Sequence, residues 1–284
     1  MRLELVHRID EGTRNPIVAR LGLQATDLLQ WLDVSEEKRG EIAALYVRNL
    51  IEKLLACSRR GNEIRNQLNS LATNTDTKGY QNTPYIANLE DTTHMFLYQS
   101  KNFMRDVLKI FQILHDKIFS DASCLIDIKG CGQSEVAKWA VQKFGKDSRM
   151  AGMFDDDTMW VAEPIWKRNA VEHPGGKSGT LKITNIRRLT ALGGALQEPT
   201  WQRGEGVISS IARDMEIIVE NMLTFAEEIL VTSILDAPTH PMIDIYEIPL
   251  VSRDADCPVR FKVGPNAELS AKISAAIKRE ADNK

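Results

Sequence analysis

No stretch of the chain approaches the roughly 20 consecutive apolar residues that a membrane-spanning helix requires. The first ten residues lack an apolar block followed by a small-residue cleavage site, so export is not expected and the cytoplasm is the expected compartment. Cysteine is sparse: Cys57, Cys124, Cys131 and Cys257 are scattered along 284 residues and make no disulfide framework. Cys124 and Cys131 have no histidine at zinc-finger spacing, so reduced thiols are expected. A large charge excess is also missing. The net charge of −3 excludes a protein whose whole surface is a nucleic-acid footprint, although it leaves room for a local basic site. There is no Gly-x-x-x-x-Gly-Lys-Ser/Thr phosphate loop, no His-Glu-x-x-His and no Gly-x-Ser-x-Gly elbow.

What is present is the balance of an ordinary globular domain, 43% apolar and 26% charged. Helical periodicity dominates it. Residues 36–58 carry Ile42, Leu45, Leu50, Leu54 and Leu55 at spacings of three to five, and 63–71 read as a shorter helix. The polar run from Thr73 to Gly79 reads as a loop. Phe96, Phe103, Val107, Ile110, Leu114 and Ile118 make one stripe over 85–119. Ile208, Ile211, Met215, Ile218, Met222, Phe225 and Ile229 make another over 206–235. These two segments are expected to be the longest helices and to pack along much of their length. Residues 134–144 and 156–172 read as further helices, the latter kinked or restarted at Pro164.

Alternation of apolar and β-forming polar residues predicts strands over 180–186, 243–251 and 259–263, followed by a charged terminal helix with Leu269, Ile273 and Ile277. The expectation is a single domain over 1–284, mainly α. It comprises an N-terminal helical region (1–81), a helical-bundle core with long antiparallel helices (about 82–235) and a small β and helical extension (236–284).

Few residues stand out chemically. Asp155, Asp156 and Asp157 precede a helix, where carboxylates complement the helix dipole, and no ligand partner follows at a diagnostic spacing. Gly130 and Gly132 read as a turn. One cluster is different: Arg168-Asn169-Ala-Val-Glu-His173-Pro174. Arg168 and His173 lie about 140° apart on an ideal helix. They converge only if the helix ends near His173, and Pro174, Gly175 and Gly176 supply that ending. An Arg and a His near the last carbonyls of a helix also serve simply as C-terminal cations.

The run Arg168-Asn169-Ala-Val-Glu-His173 resembles the motif of the HEPN family (higher eukaryotes and prokaryotes nucleotide-binding), an Arg followed by Asn, Asp or His and then, after three to five residues, a His. The other Arg-Asn pairs, Arg48-Asn49 and Arg65-Asn66, have no His at that distance. The resemblance covers about 82–235. It implies a metal-independent endoribonuclease of the toxin or phage-defence type, acting on RNA as a homodimer with two motifs facing one cleft. No cofactor and no metal are implied, and an antitoxin or defence partner would accompany it. By that resemblance His173 is the acid–base group, Arg168 binds the scissile phosphate, and Asn169 holds the imidazole or the phosphate in place. Asp106 is either a partner for Arg168 or an exposed charge. Some relatives carry a Tyr two residues after the His; here that position is Gly175. The alternative is a non-catalytic HEPN-like binding or scaffold protein.

Charge gives separate support. From Trp166 to Arg203, seven cations (Lys167, Arg168, Lys177, Lys182, Arg187, Arg188 and Arg203) stand against Glu172 and Glu198. Such a basic island suits a phosphate-binding surface, and equally a solvated face.

Overall fold

The apolar stripes converge on a helix that the sequence reading had divided in two. The computed structural model describes residues 10–78, 83–127, 132–189, 195–236, 243–267 and 269–272, with backbone alone at 72–78 and 158. Within it, α3 (Glu36–Ala44) runs through a π-helical stretch (Leu45–Leu50) directly into α4 (Ile51–Lys78). Gly61, between the two segments read as separate helices, lies inside α4 in van der Waals reach of Met215 on the next long helix. The Thr73–Gly79 loop is corrected as well, since α4 stays helical through Lys78. Gly79 itself lies outside the described residues.

The two stripes chosen from the sequence pack mainly on α4 and much less on each other. The first is α5 (Leu89–Val107) followed, after a turn at Leu108, by α6 (Lys109–His115). The second is α10 (Ile211–Leu235), which begins at a Ser210 side-chain cap five residues later than expected from Gly206. With 28 residues against 19 and 25, α4 is longer than both. Cys57 touches Phe96 and Ser100 while Lys53 meets Asp106, so α4 and α5 run antiparallel. Tyr46 donates to the carbonyl of Ala226 while Arg65 pairs with Glu216, so α10 is antiparallel to the same long helix. Phe96, Phe103, Phe111 and Phe225 are fully buried in this bundle, each contributing roughly 1.5–3 kcal/mol by leaving water.

Ser134 caps α7 (Glu135–Phe144) as expected. The sequence reading missed α8 (Arg149–Asp156), capped by Ser148. The helix from the Arg/His cluster is α9 (Thr158–Glu172), and Pro164 neither ends nor restarts it. The joint falls earlier, at Asp157, between α8 and α9.

The strand expectations at 180–186, 243–251 and 259–263 correspond to β1 (Leu181–Thr184), β6 (Ile243–Glu247) and β7 (Phe261–Pro265), the last two forming an antiparallel hairpin. The sequence reading missed β2 (Arg187–Leu189) and β3 (Ala195–Gln197), which pair together. It also missed β4 (Thr200–Arg203) and β5 (Ser209–Ser210), which extend β1 into a three-stranded sheet in the order β1-β4-β5. Of the expected terminal helix, Leu269 is in a helical turn, while Ile273 and Ile277 lie outside the described residues. The chain is mainly α with small sheets.

Another unforeseen element is the helical run 16–29: α1 (Pro16–Val18), a π-helical stretch, then α2 (Ala25–Leu29). It carries Arg20 into the core. Arg20 donates to Glu227 and Glu220 of α10, and Gln24 donates to Glu227 while accepting from the backbone of Arg260 and Phe261. Hydrophobic contacts from Ile17 to Val263 form one continuous cluster. No helix among the described residues is long and apolar enough to cross a membrane.

Candidate functional site at the end of α9

The last turn of α9 is closed by backbone geometry. His173 leaves the helical region (φ −133°, ψ 70°), as the residue before a proline should. Its carbonyl then accepts from Gly176, and Gly175 and Gly179 complete a tight turn leading to β1. Gly175 has φ of +77°, a conformation that strains any L side chain. A side chain such as tyrosine at that position would be strained in this turn.

The three motif residues face different neighbours. Arg168 pairs with Glu172 one turn ahead at 2.9 Å, and its guanidinium lies 5.5 Å from the Tyr98 ring of α5. Its Nε is buried and has no acceptor among the described residues. Asn169 accepts a hydrogen bond from the Lys101 ammonium of α5 at 3.0 Å. Lys101 also reaches Glu172 at 3.2 Å and Asp121 at 3.8 Å. His173 is exposed, and among the described residues its imidazole has no hydrogen-bond partner. No hydrogen bond or ion pair joins Arg168 to His173 in the described structure. The helix end therefore gathers two cations bridged by Glu172, one amide, and an exposed imidazole without a hydrogen-bond partner among the described residues.

Lys101, Glu172 and Tyr98 were missed as members of this group. Glu172 was legible as the fourth residue after Arg168, the spacing of a helical ion pair. Lys101 and Tyr98 were not, because they come from α5 and only its packing against α9 brings them here.

Asp106 does not take part. It is neither exposed nor paired with Arg168, but buried beside Lys53 (3.0 Å), Lys109 (3.0 Å) and Arg105 (3.1 Å). Burial alone would raise its pKa, but the hydrogen bonds from these three cations outweigh that and hold it below the usual carboxylate value. Arg168 is out of play for Asp106 because its guanidinium is occupied on α9 itself.

The basic island also divides. Consecutive helix residues are turned by about 100°, so Lys167 and Arg168 face different sides of α9. Lys167 is buried toward Trp201 of β4, its ammonium 5.0 Å from that ring and 2.6 Å from Glu163. Arg203 stacks over Trp166 at 5.9 Å. Lys177, Lys182, Arg187 and Arg188 are exposed along the turn and strands that follow. Comparison with protein-family models, curated proteins and solved structures gives no match.

Proposed function

We propose that the end of α9 is the phosphate-handling site of a metal-independent, HEPN-type endoribonuclease of the toxin or defence class. The observation that carries this reading is the exposed imidazole of His173, without a hydrogen-bond partner among the described residues, at the end of the helix that carries Arg168 and packs against Lys101 of α5. In the proposed reaction an RNA phosphate lies against Arg168 and Lys101, displacing the Glu172 carboxylate that now neutralises them. His173 takes the proton from the attacking 2′-hydroxyl, and the cations stabilise the charge that grows on the phosphate oxygens. Asn169 serves as a positioning group through its bond to Lys101.

One imidazole supplies a base but no separate acid for the leaving 5′-oxygen. The reading therefore includes a homodimer in which a second copy's motif faces the same cleft. Support comes from Met95 and Tyr98 on α5 and Met159 on α9, large apolar side chains left exposed on the helices that carry the motif. The matching experiment is light scattering on the full chain: a dimer is expected, and a monomer at micromolar concentration would overturn the composite site.

Cleavage of a structured RNA in the presence of EDTA is the direct test. Wild type should cut, and His173→Ala should lose about 100-fold or more of the rate. Its melting temperature should hold, because the imidazole supports nothing else. If cleavage is absent, or His173→Ala cuts equally well, the reading falls. A second reading, a non-catalytic binding or scaffold protein, is favoured by the Glu172 clamp, which satisfies Arg168 and Lys101 without any ligand.

A further inference from the structure

Another face of α9 borders a cavity of about 340 Å³, within the size range of small-ligand sites. Trp160, Glu163 and Lys167 fall on one side of the helix and form its first wall. Asp214 and Asn221 of α10 form the second, and Arg203 and Val207, from β4 and the turn after it, close the third.

The polar groups lining this cavity are unequally satisfied. Lys167 is more than nine-tenths buried, with Glu163 as its carboxylate partner at 2.6 Å. The Asp214 carboxylate accepts from the indole of Trp201 at 2.6 Å and from the Ser209 hydroxyl, so two neutral donors already stabilise it. Arg203 has no carboxylate partner among the described residues. One terminal nitrogen reaches the Ser178 carbonyl at 3.4 Å, and its Nε, closed off from solvent, has no hydrogen-bond partner among the described residues. The side-chain amide of Asn221, half-buried, likewise forms no hydrogen bond among the described residues. A guanidinium that lines a cavity with one long hydrogen bond on its terminal nitrogens has donors left for an anion. The ammonium of Lys167, with three donors and one carboxylate partner, adds a second cation on the same cavity. The rest of the wall is apolar: Trp160, Val207 and Ile217.

We propose that this cavity binds a small phosphate monoester with an apolar or aromatic body. The phosphate pairs with Arg203 and Lys167, the body lies against Trp160 and Val207, and Asn221 offers a donor and an acceptor to any polar substituent. The planar fork of Arg203 suits the oxygens of a phosphate, while Glu163 and Asp214 on the same walls are already engaged by Lys167 and by Trp201 and Ser209. The proposal does not rest on the function assigned to the end of α9, because Arg168, Asn169 and His173 do not line the cavity.

Calorimetric titration of the full chain with phenyl phosphate, inorganic phosphate and phenol tests this. Phenyl phosphate should bind saturably at one site with a Kd below about 1 mM. Inorganic phosphate should bind more weakly, and phenol should give no saturable signal. Arg203→Gln should weaken phenyl phosphate by about tenfold or more, as expected for a charge-assisted contact. Val207→Asp is the second variant. Position 207 is 88% exposed, so the substitution spares the core while placing a carboxylate at the rim, and it should also weaken binding. Arg168→Gln should leave the affinity unchanged. No saturable binding of phenyl phosphate, equal binding of inorganic phosphate, or loss of binding in Arg168→Gln with full binding in Val207→Asp would each overturn the proposal.

Discussion

The ammonium of Lys101 stands 3.0 Å from the Asn169 side-chain oxygen and 3.2 Å from the Glu172 carboxylate, so one cation from α5 ties down the last turn of α9. A helix end that carries a free imidazole is thereby held against a second helix. Lys101→Met keeps the aliphatic stem and removes the charge. It should cost about 1 kcal/mol, the scale of one net hydrogen bond, and lower Tm by a few degrees. Under the proposed function it should also slow RNA cleavage, and more than the loss in stability explains. Thermal melts and single-turnover cleavage on the same preparation separate the two effects. Unchanged cleavage would remove Lys101 from the site.

Glu172 is the single carboxylate shared by Arg168 and Lys101, and it decides between the two functional readings. Glu172→Gln removes the carboxylate from Arg168 and leaves Lys101 with the more distant Asp121, at 3.8 Å, while preserving shape. If phosphate is the natural occupant, RNA should bind several-fold more tightly and with a steeper salt dependence, since more cationic charge is free to release counterions. Filter binding at several salt concentrations gives that slope. A scaffold whose ion pairs serve only to join α5 to α9 should show no gain in RNA affinity and a small loss of Tm.

Local signals in the sequence were sufficient where one segment determined its own structure. Ser134 before an amphipathic run predicted α7, the alternation in 180–186 predicted β1, and Pro174-Gly175-Gly176 predicted where α9 stops. They failed where a neighbour decided the outcome. Residues 36–58 and 63–71 read as two helices, yet they lie on one continuous helical run against which α5 and α10 pack. Arg20, Gln24 and Glu227 are buried against one another, a pairing across more than 200 residues that no local spacing encodes. The candidate site divides in the same way. Arg168, Asn169, Glu172 and His173 are within one turn or two of each other in sequence, whereas Lys101, Tyr98 and the Arg203 cavity depend on how α5, β4 and α10 pack around α9.

Asp157, at the joint between α8 and α9, should make stability depend on pH. One of its oxygens accepts from the Trp160 indole at 2.5 Å, and the other is buried without a donor. Burial pushes its pKa from 3.8 up to about 6; the Trp160 bond opposes this, and Glu228 and Asp156 reinforce it. The folded chain therefore keeps a proton that the unfolded chain releases between about pH 4 and pH 6. This contribution is full below pH 4 and lost as the pH rises through 6. Asp157→Asn retains the acceptor for Trp160 and never ionises. At pH 7.5 it should be more stable than wild type by about 1 kcal/mol, after allowing for solvent screening of a half-buried group. Near pH 4 the two should unfold alike. A variant less stable than wild type at pH 7.5 would show that the carboxylate is favourably paired there.

The Arg20–Glu227 pair fastens the N-terminal helical run to α10, and it should be the most sensitive charged contact in the fold. Both side chains are almost completely buried, at 3% and 1% exposure. Arg20 also meets Glu220 at 2.7 Å and Thr224 at 3.1 Å, while Gln24 links Glu227 to the backbone that starts β7. Arg20→Met leaves a buried carboxylate with only an amide and the more distant Arg260, 3.9 Å away, as partners. Losing one member of a buried pair typically costs about 3–5 kcal/mol, because the desolvation of the other is no longer offset. Urea unfolding should show a loss of that size for Arg20→Met. Replacing both residues, as Arg20→Met with Glu227→Met, should recover much of it, since well-packed apolar groups of similar length need no counter-charge. Hydrogen exchange adds a readout specific to the connection: in the single variant, amides of β6 and β7 should lose protection before those of α4. A single variant within about 1 kcal/mol of wild type would mean that water reaches this pair and that the terminal segments are held by their apolar contacts alone.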